Sequence, residues 1–253
     1  MWHCSALVLS DELAIIRLMP EASTKGAGIA AVKQLVVSSV MLLIQLAIFF
    51  FSAGYIGTQP WIYFGSSFVH YTISIAAQYK LNPELLAARL AMKRKGSKLW
   101  DEVLMRASNL VVLIALPIVA GLDVGRFHWA SLDPAFMLPG FALLILSTFF
   151  LNWAMAVNPF FEPTVRIQKE RDHKVIASGP YKFLRHPGYL AGLSFVFSFP
   201  LIVGSAVAFV ASAVYMVLIM ARTALEDRTL QKELIGYAEY AKKVRYKLFP
   251  WIW

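Results

Sequence analysis

The chain contains one cysteine, Cys4, and is poor in charged side chains. Of its 253 residues, 15% are charged and 58% are hydrophobic, and the mean hydropathy is +0.61. Soluble domains are typically about 25% charged and about 45–50% apolar. A single cysteine excludes an intramolecular disulfide and a paired-cysteine metal site. The HExxH, GxSxG, P-loop and GxGxxG motifs are also missing, so metal, acyl-serine and Rossmann chemistry have no support.

Apolar runs of about 20 residues, each long enough to cross a bilayer, recur along the chain. The first begins too far from Met1, and is too long, to be a cleaved signal peptide. We therefore predict an all-α, polytopic membrane protein with about six transmembrane helices. These cover residues 31–54, 60–79, 107–122, 135–157, 187–203 and 205–221. The last two are short and separated only by Gly204, which predicts a tight C-terminal helical hairpin.

The segments between these runs are more polar. Residues 1–30 form a mixed lead-in with no motif. Over 81–106 apolar and basic residues alternate, which suits an amphipathic helix along the membrane surface. Residues 222–253 are predicted to form a second, charged amphipathic helix that ends in LFPWIW. The spans contain essentially no charged side chains and His70 alone sits mid-span, where we expect it to be a hydrogen-bonded packing residue rather than a proton relay.

The basic residues lie almost entirely on one side of the predicted membrane. Of 24 Lys and Arg residues, 23 fall in segments on the N-terminal side, and only Arg126 falls on the other. The positive-inside rule then predicts that both termini and the loop 158–185 are cytosolic. A basic surface of this kind suits contact with the anionic lipids of the bilayer. Nucleic-acid binding is not indicated by the net charge of +9, because no basic soluble domain is present.

An unusual polar stretch, SGPYKFLRHPGYLAG, occupies residues 178–192 at the entrance to the predicted span 187–203. Pro187 suits the first turn of a helix, which places His186 at the helix start, where unpaired N–H groups and the positive dipole end favour a carboxylate or another anion. Gly188 allows close approach of a backbone or a ligand. The alternative interpretation is an interfacial belt of Tyr and Arg around a helix-starting proline.

A second polar group lies where the last predicted span leaves the membrane. Arg222 and Glu226 are four residues apart and share a helix face. Taken alone, they could form a surface ion pair that contributes little to stability. The short hairpin, however, brings them close to His186 and Tyr189. Two polar clusters that converge at an apolar wall indicate a binding site. Gln168 and His173, in the preceding loop, could close over a ligand held there.

A resemblance to the C-terminal half of the isoprenylcysteine carboxyl methyltransferase family rests on three stretches, HKVIASGPYKFLRHPGYLAG, RTALEDRTL and YAEYAKKV. That family belongs with the membrane phospholipid methyltransferases. The resemblance covers roughly residues 158–250. It divides the chain into residues 1–157, with the lead-in and the first four predicted helices, and residues 158–253, the cofactor-binding catalytic half.

The resemblance implies a cytosolic pocket for S-adenosylmethionine beside a lipid-facing tunnel for a small or lipidic methyl acceptor. Arg222 falls where the family holds the acceptor's carboxylate, so O-methylation is expected, with Arg222, Glu226 and His186 as the catalytic residues. The implied cofactor contacts are Gln168, His173, Lys174, Val175, Ile176, Tyr181, His186, Pro187, Gly188, Tyr189 and Glu226.

The residues are consistent with this division of roles. Arg is a natural bidentate partner of a carboxylate, and Glu226 can accept hydrogen bonds from ribose or amino groups. A carboxylate acceptor is already ionised near neutral pH and requires positioning rather than a base. An amine or thiol acceptor would require a base, for which His186 and Glu226 are the candidates.

Some features depart from the family pattern and leave alternatives open. Asp227 stands where the family usually has Glu, and ELIGYAEY is two residues shorter than the usual spacing. These departures put the prenylcysteine substrate in question. The closing VRYKLFPWIW is similar to the end of membrane sterol reductases, which would use NADPH. A non-enzymatic membrane subunit or transporter is the third alternative.

Overall fold

In a computed structural model of the chain, the described residues are 21–55, 57–89 and 96–253. The first part of the predicted lead-in, including Cys4, and residues 90–95 of the predicted surface helix lie outside them. Most of the described residues are helical and none forms a β-strand; one isolated bridge pairs Ser131 with Ser205. The predicted all-α class is therefore confirmed for this part of the chain.

Eight α-helical elements, α1 to α8, occur in the described ranges. They are α1 Glu21–Ala53, α2 Thr58–Leu81, α3 Pro83–Arg89, α4 Leu99–Phe127, α5 Met137–Val157, α6 Pro187–Val203, α7 Ala208–Glu233 and α8 Tyr237–Lys243. Helix α4 contains two π-helical segments, Val111–Ala115 and Leu122–Phe127. The first lies just before Pro117, which has no N–H to donate to the preceding turn, so the regular hydrogen-bond pattern is interrupted there.

Four helices are long and apolar enough to cross a membrane by length and composition. They are Gly26–Ala53 within α1, Leu99–Phe127, Pro134–Val157 and Ala208–Glu233. Helix α6 is apolar but has only 17 residues, and α2 is not among the candidates. A membrane protein is thus supported, whereas the predicted count of about six spans is not confirmed within the described residues.

Two predicted amphipathic helices differ from the structure. The surface helix over 81–106 is wrong as a single element, because Gly96 adopts φ +85°, Lys98 is extended, and a new helix, α4, begins at Leu99. No helix breaker separates 99–106 from the apolar run that follows, so both form one helix. The predicted helix over 222–253 is wrong as well. Helix α7 continues to Glu233, and Gly236 then adopts φ +84°, a left-handed conformation that ends the helix before α8.

The core lies where the long helices cross, and aromatic rings fill much of it. Tyr63 on α2 meets Phe199 on α6 edge to face, with ring centroids 4.6 Å apart, and Phe49 on α1 is fully buried beside them. His70 is hydrogen-bonded within this packed region, since its Nδ1 lies 2.7 Å from Thr148 Oγ1 on α5. The expectation that His70 is a hydrogen-bonded packing residue is therefore met.

The end of the bundle away from the candidate site is tied together by polar side chains. Arg126, the single basic residue predicted for that side, donates to the carbonyls of Ser52 at 2.6 Å and Phe51 at 2.8 Å. These carbonyls belong to the last turn of α1, where acceptors lack partners in the helix. Asp123 is fully buried and accepts from the Ser205 hydroxyl at 2.6 Å. The connection between α6 and α7 is held to α4 in this way.

Candidate active site

A cavity of about 310 Å³ lies where the first turn of α6, the last turns of α7, helix α8 and the loop 158–185 meet. Its size is within the usual range for small-ligand sites, about 300–1,000 Å³. All of the site residues predicted from the sequence line this one cavity: Gln168, His173, Lys174, Val175, Ile176, Tyr181, His186, Pro187, Gly188, Tyr189, Arg222 and Glu226. Residues scattered over 59 positions of the sequence therefore surround a single space.

The start of α6 is held in place by the C-terminal segment. The backbone N–H groups of Arg185 and His186 donate to the carbonyls of Tyr246 and Lys247, at 3.0 and 2.9 Å. Pro187 then begins the helix and has no N–H. Among the described residues, no carbonyl accepts a bond from the N–H of Gly188. The helix start thus presents an unpaired donor at its positive dipole end, beside the cavity.

Gly188 is packed tightly against an aromatic ring from the loop. A Cβ atom at this position would lie 2.3 Å from Cζ of Phe161, which is closer than any side chain tolerates. Phe161 also lines the cavity, and Arg89 of α3 donates to its carbonyl at 3.0 Å. The absence of a side chain at Gly188 therefore lets Phe161 form part of the cavity wall.

Arg222 has a buried acidic partner that the sequence did not indicate. Its Nε donates to Oδ1 of Asp101 at 2.7 Å, and its Nη2 donates to the carbonyl of Pro163. Asp101, in the first turn of α4, is fully buried, and its other oxygen accepts from the N–H of Val165 at 2.8 Å. The guanidinium also lies over the ring of Tyr189, 5.2 Å from its centroid. The sequence suggested an ion pair between Arg222 and Glu226. In the structure, Arg222 forms its ion pair with Asp101 instead.

Glu226 projects toward the cavity from the same face of α7. Its Oε2 accepts a hydrogen bond from the hydroxyl of Tyr189. No Lys or Arg nitrogen of the described residues forms an ion pair with it. Glu226 is therefore a carboxylate whose recorded partner is a neutral phenol, and it is free to accept further hydrogen bonds from a ligand.

Asp227, the next residue, faces away from the cavity into a buried polar cluster. It forms an ion pair with Arg185 at 2.8 Å and accepts from the hydroxyl of Tyr237 at 3.2 Å. His186 Nε2 lies 3.5 Å from Asp227 Oδ1, which is too long for a good hydrogen bond, and this buried nitrogen has no closer partner. The Asp that departs from the family pattern thus has a structural role behind the cavity.

The loop above the cavity is organised by Gln168, which is almost fully buried. Its Nε2 donates to the carbonyl of Phe160 at 2.8 Å, and its Oε1 accepts from Arg171 at 2.9 Å. The Gln168 N–H points at Nδ1 of His173 at 3.4 Å. Burial, together with the neighbouring guanidinium groups, lowers the pKa of His173 to about 4. His173 is therefore neutral near neutral pH, with Nδ1 as an acceptor.

The remaining predicted residues form the cavity's apolar side. Val175 and Ile176 pack against Tyr181 and the aromatic rings of α8. The Tyr181 hydroxyl accepts from Asn158 at 2.9 Å, and because burial raises its pKa, it keeps a proton to donate. Lys174 is exposed and paired with Asp172 at 2.7 Å. One side of the cavity is thus aromatic and aliphatic, and the other carries hydrogen-bonding groups.

Several lining residues were missed in the sequence. Phe160, Phe161 and Pro163 come from the loop, and Tyr237 and Tyr240 come from α8. The YxxY spacing of the last two places both rings on one helix face, which was a usable signal. Nothing in the sequence distinguished Asp101 from the adjacent Glu102, because both lie at the start of α4.

The donor and acceptor groups around this cavity do not form a metal site. Within the described residues, no group of three or more His, Cys, Asp or Glu side chains could hold a metal ion. The groups instead fit a zwitterionic organic ligand. The Gly188 N–H and the His186 ring can face a carboxylate, while Glu226 can face amino or hydroxyl groups.

With four helices in its described part that are long and apolar enough to cross a membrane, and a polar cavity at one end of the bundle, the protein has the architecture of an integral membrane protein with a ligand-binding site. Residues 140–232 match the model of the isoprenylcysteine carboxyl methyltransferase family. The match begins within α5 and ends near the end of α7, so it contains Arg222, Glu226 and the start of α6. It confirms the resemblance to this methyltransferase family. No curated protein sequence matches the chain.

Proposed function

We propose that the protein is an integral membrane methyltransferase that uses S-adenosylmethionine and methylates a small or lipidic acceptor at the cytosolic face of the membrane. The observation that carries this proposal is the convergence of all the predicted cofactor contacts on one cavity, within a segment that matches a methyltransferase family. S-adenosylmethionine supplies a methyl group activated on a sulfonium.

The residues around the cavity have distinct roles in this proposal. The Gly188 N–H and the start of α6 hold the carboxylate of the cofactor, and Glu226 accepts from its amino or ribose groups. Val175, Ile176 and the rings of α8 provide an apolar wall for the adenine. Phe161 and the loop above it exclude water from the reacting groups.

The alternative reductase function is not favoured by the family match. It would require NADPH to occupy the same cavity. The polar groups described above suit a compact zwitterion, and no cluster of basic side chains free of acidic partners faces the cavity among the described residues to receive a 2′-phosphate. Arg166, for example, is paired with Glu162 at 2.8 Å.

Calorimetric titration of the detergent-purified protein separates these functions. S-adenosylmethionine and its demethylated product should each bind saturably, and NADPH should not. Glu226→Ala should abolish binding of both cofactor forms. Binding of NADPH alone, or unchanged cofactor binding by the Glu226→Ala variant, would overturn the proposal.

A further inference from the structure

The C-terminal segment, residues 244–253, folds back from the cavity along the apolar parts of α6 and α7. At its start, two of its backbone carbonyls accept from the N–H groups just before α6. Farther along, Leu248 is fully buried in one cluster with Leu193 of α6 and Ile219 of α7. The segment therefore links the wall of the cavity to the apolar sides of both helices.

This packing places the segment beside the apolar parts of the two helices rather than in the polar layer around the cavity. Leu193 lies in the second turn of α6, about 9 Å along the helix from its start. Ile219 lies one turn before Arg222, in the apolar part of α7. At the same level of α7, the side chains of Val214 and Val217 are exposed, as they are on helix surfaces that face lipid. The segment is thus at a depth where a bilayer surrounds the helices.

A tight turn at the far end of the segment directs two apolar side chains outward. Trp251 and Ile252 are 85% and 83% exposed, whereas Phe249 and Trp253 pack against the buried cluster. The turn is firmly built, because the carbonyl of Trp253 accepts from the N–H groups of residues 247–249 at 3.0 to 3.1 Å. Trp251 adopts φ +63°, a left-handed conformation that is unfavourable for a bulky residue. A strained turn that holds a tryptophan outward indicates a partner for the exposed pair.

The basic residues around this turn fit the surface of a bilayer. Lys243 and Arg245 are exposed just before the segment passes down along the helices. The ammonium group of Lys247 lies 4.7 Å from the centroid of the Trp253 ring. Tryptophan rings at the level of the headgroups, with lysine and arginine beside them, are typical of the boundary between membrane and water.

We propose that Trp251 and Ile252 insert into the interface of the lipid bilayer on the cavity side of the membrane, and that this insertion anchors the start of α6. The partner is the bilayer rather than a second protein, because the helix surfaces beside the turn face lipid at the same depth. The connection to the cavity is short, since the carbonyls that hold the start of α6 belong to Tyr246 and Lys247. This inference goes beyond the proposed catalytic function and does not depend on it.

Depth-dependent fluorescence quenching tests the insertion. In a Cys4→Ser background, Ile252→Cys is labelled with the dye NBD, and the protein is reconstituted in nanodiscs of phosphatidylcholine with a minor share of phosphatidylglycerol. Phosphatidylcholine that carries a nitroxide should quench the dye, most strongly when the nitroxide lies near the headgroup end of the acyl chain. Iodide dissolved in the water should quench it weakly.

Ile235→Cys, labelled in the same way, is the matched control. Ile235 is also a highly exposed isoleucine, but it lies just beyond the end of α7, and that end is about 20 Å along the helix from Ile219. The dye at position 235 should be quenched by iodide. Because an inserted side chain reaches only the boundary of headgroups and acyl chains, nitroxide lipid should quench the control dye at least about threefold less than the dye at position 252.

Hydrogen exchange in the same nanodiscs tests the anchoring. The double variant Trp251→Ser/Ile252→Ser removes the two apolar side chains without changing the residues that pack against the cluster. The amides of Arg185 and His186 should exchange at least about tenfold faster in this variant, because local opening no longer withdraws apolar surface from lipid. Amides in the middle of α5 are the reference and should exchange as in the wild type.

A dye at position 252 that nitroxide lipid quenches no more than the dye at position 235 would overturn the inference, whether water or another protein surface surrounds it. Unchanged exchange of the Arg185 and His186 amides in the double variant would overturn the anchoring of α6. Neither measurement involves S-adenosylmethionine. Failure of the proposed function, seen as no cofactor binding by calorimetry, is therefore a separate result.

Discussion

Arg185, the second residue before α6, and Asp227, near the end of α7, form a buried ion pair with 2.8 Å between Nη1 and Oδ1. Arg185 also donates through Nη2 to the carbonyl of Arg245 at 3.3 Å. The pair thus joins the start of α6, the end of α7 and the C-terminal segment. It lies directly behind His186 and keeps the wall of the cavity in position.

Asp227→Ala should destabilise the protein by about 3–5 kcal/mol, because it leaves the Arg185 charge buried without a partner. Thermal unfolding in detergent, followed by circular dichroism, measures the change. Glu239→Ala is the control, since Glu239 pairs with Lys242 on the surface, and such pairs contribute little. Equal melting temperatures for the two variants would show that the buried pair has no special role.

Arg222→Ala should be similarly costly, because it leaves the carboxylate of Asp101 buried and unpaired. The double variant Arg222→Met/Asp101→Leu removes both charges together and should recover most of the lost stability. A double-mutant cycle measured by unfolding gives the coupling energy between the two sites. Additive losses would mean that the bond between Asp101 and Arg222 does not contribute.

Gly188→Ala should weaken binding of S-adenosylmethionine at least about tenfold, which corresponds to about 1.4 kcal/mol. The new Cβ would meet the Phe161 ring at 2.3 Å and push it toward the cavity. Calorimetry measures the affinity. Gly65→Ala, in α2, is the matched control because its Cβ would meet nothing within 4 Å. Adding Phe161→Leu to the Gly188→Ala variant should restore binding in part; if it does not, the ring is not the cause.

Tyr189→Phe removes the hydroxyl that donates to Glu226. A hydrogen bond to a charged group contributes about 1.5–3 kcal/mol, so cofactor affinity should fall roughly ten- to a hundredfold if that bond orients Glu226 for the ligand. The loss should be smaller than that of Glu226→Ala. An affinity equal to that of the wild type would mean that this hydrogen bond does not orient Glu226 for the cofactor.

The loop above the cavity should lose stability in mild acid through His173. Burial and the nearby Arg166 and Arg171 lower its pKa to about 4, against the opposing carboxylates of Glu162 and Glu170. Because this pKa is below the ordinary value of 6.5, the contribution of neutral His173 is complete above pH 6.5 and is lost as the pH falls toward 4.

The melting temperature of the wild type should therefore decrease more steeply between pH 6.5 and pH 4 than that of His173→Gln, which cannot titrate. The two proteins should have parallel profiles above pH 7. Identical slopes over the acidic range would mean that His173 titrates without a link to folding.

Much of the site was predictable because its residues are grouped in short stretches of sequence. SGPYKFLRHPGYLAG marks a helix start by its proline, and the four-residue spacing of Arg222 and Glu226 puts them on one face by helix geometry alone. Because only a few residues connect α6 to α7, the two helices run back along each other. The start of α6 therefore comes close to the end of α7. These inferences depend only on residues close together in sequence, so they do not require knowledge of how the rest of the chain folds.

The extent of the helices was less predictable. The tail after residue 222 contains charged residues with helical spacing, and the sequence alone could not show that α7 continues from the apolar run through Arg222 and Glu226. Residues 99–106 were assigned to a surface helix because apolar and basic residues alternate over 81–106. In the structure one charged residue of that stretch, Asp101, is fully buried.

Composition and hydrophobic runs by themselves determined that the protein is helical and suited to a membrane, because a bilayer allows few ways to pair backbone groups. The local motifs indicated twelve of the residues that line the cavity. Only the tertiary structure decided the charge state of that cavity, because the partner of Arg222 lies 121 residues away in sequence. Ion pairs between distant elements depend on how the helices pack, and no local pattern records them.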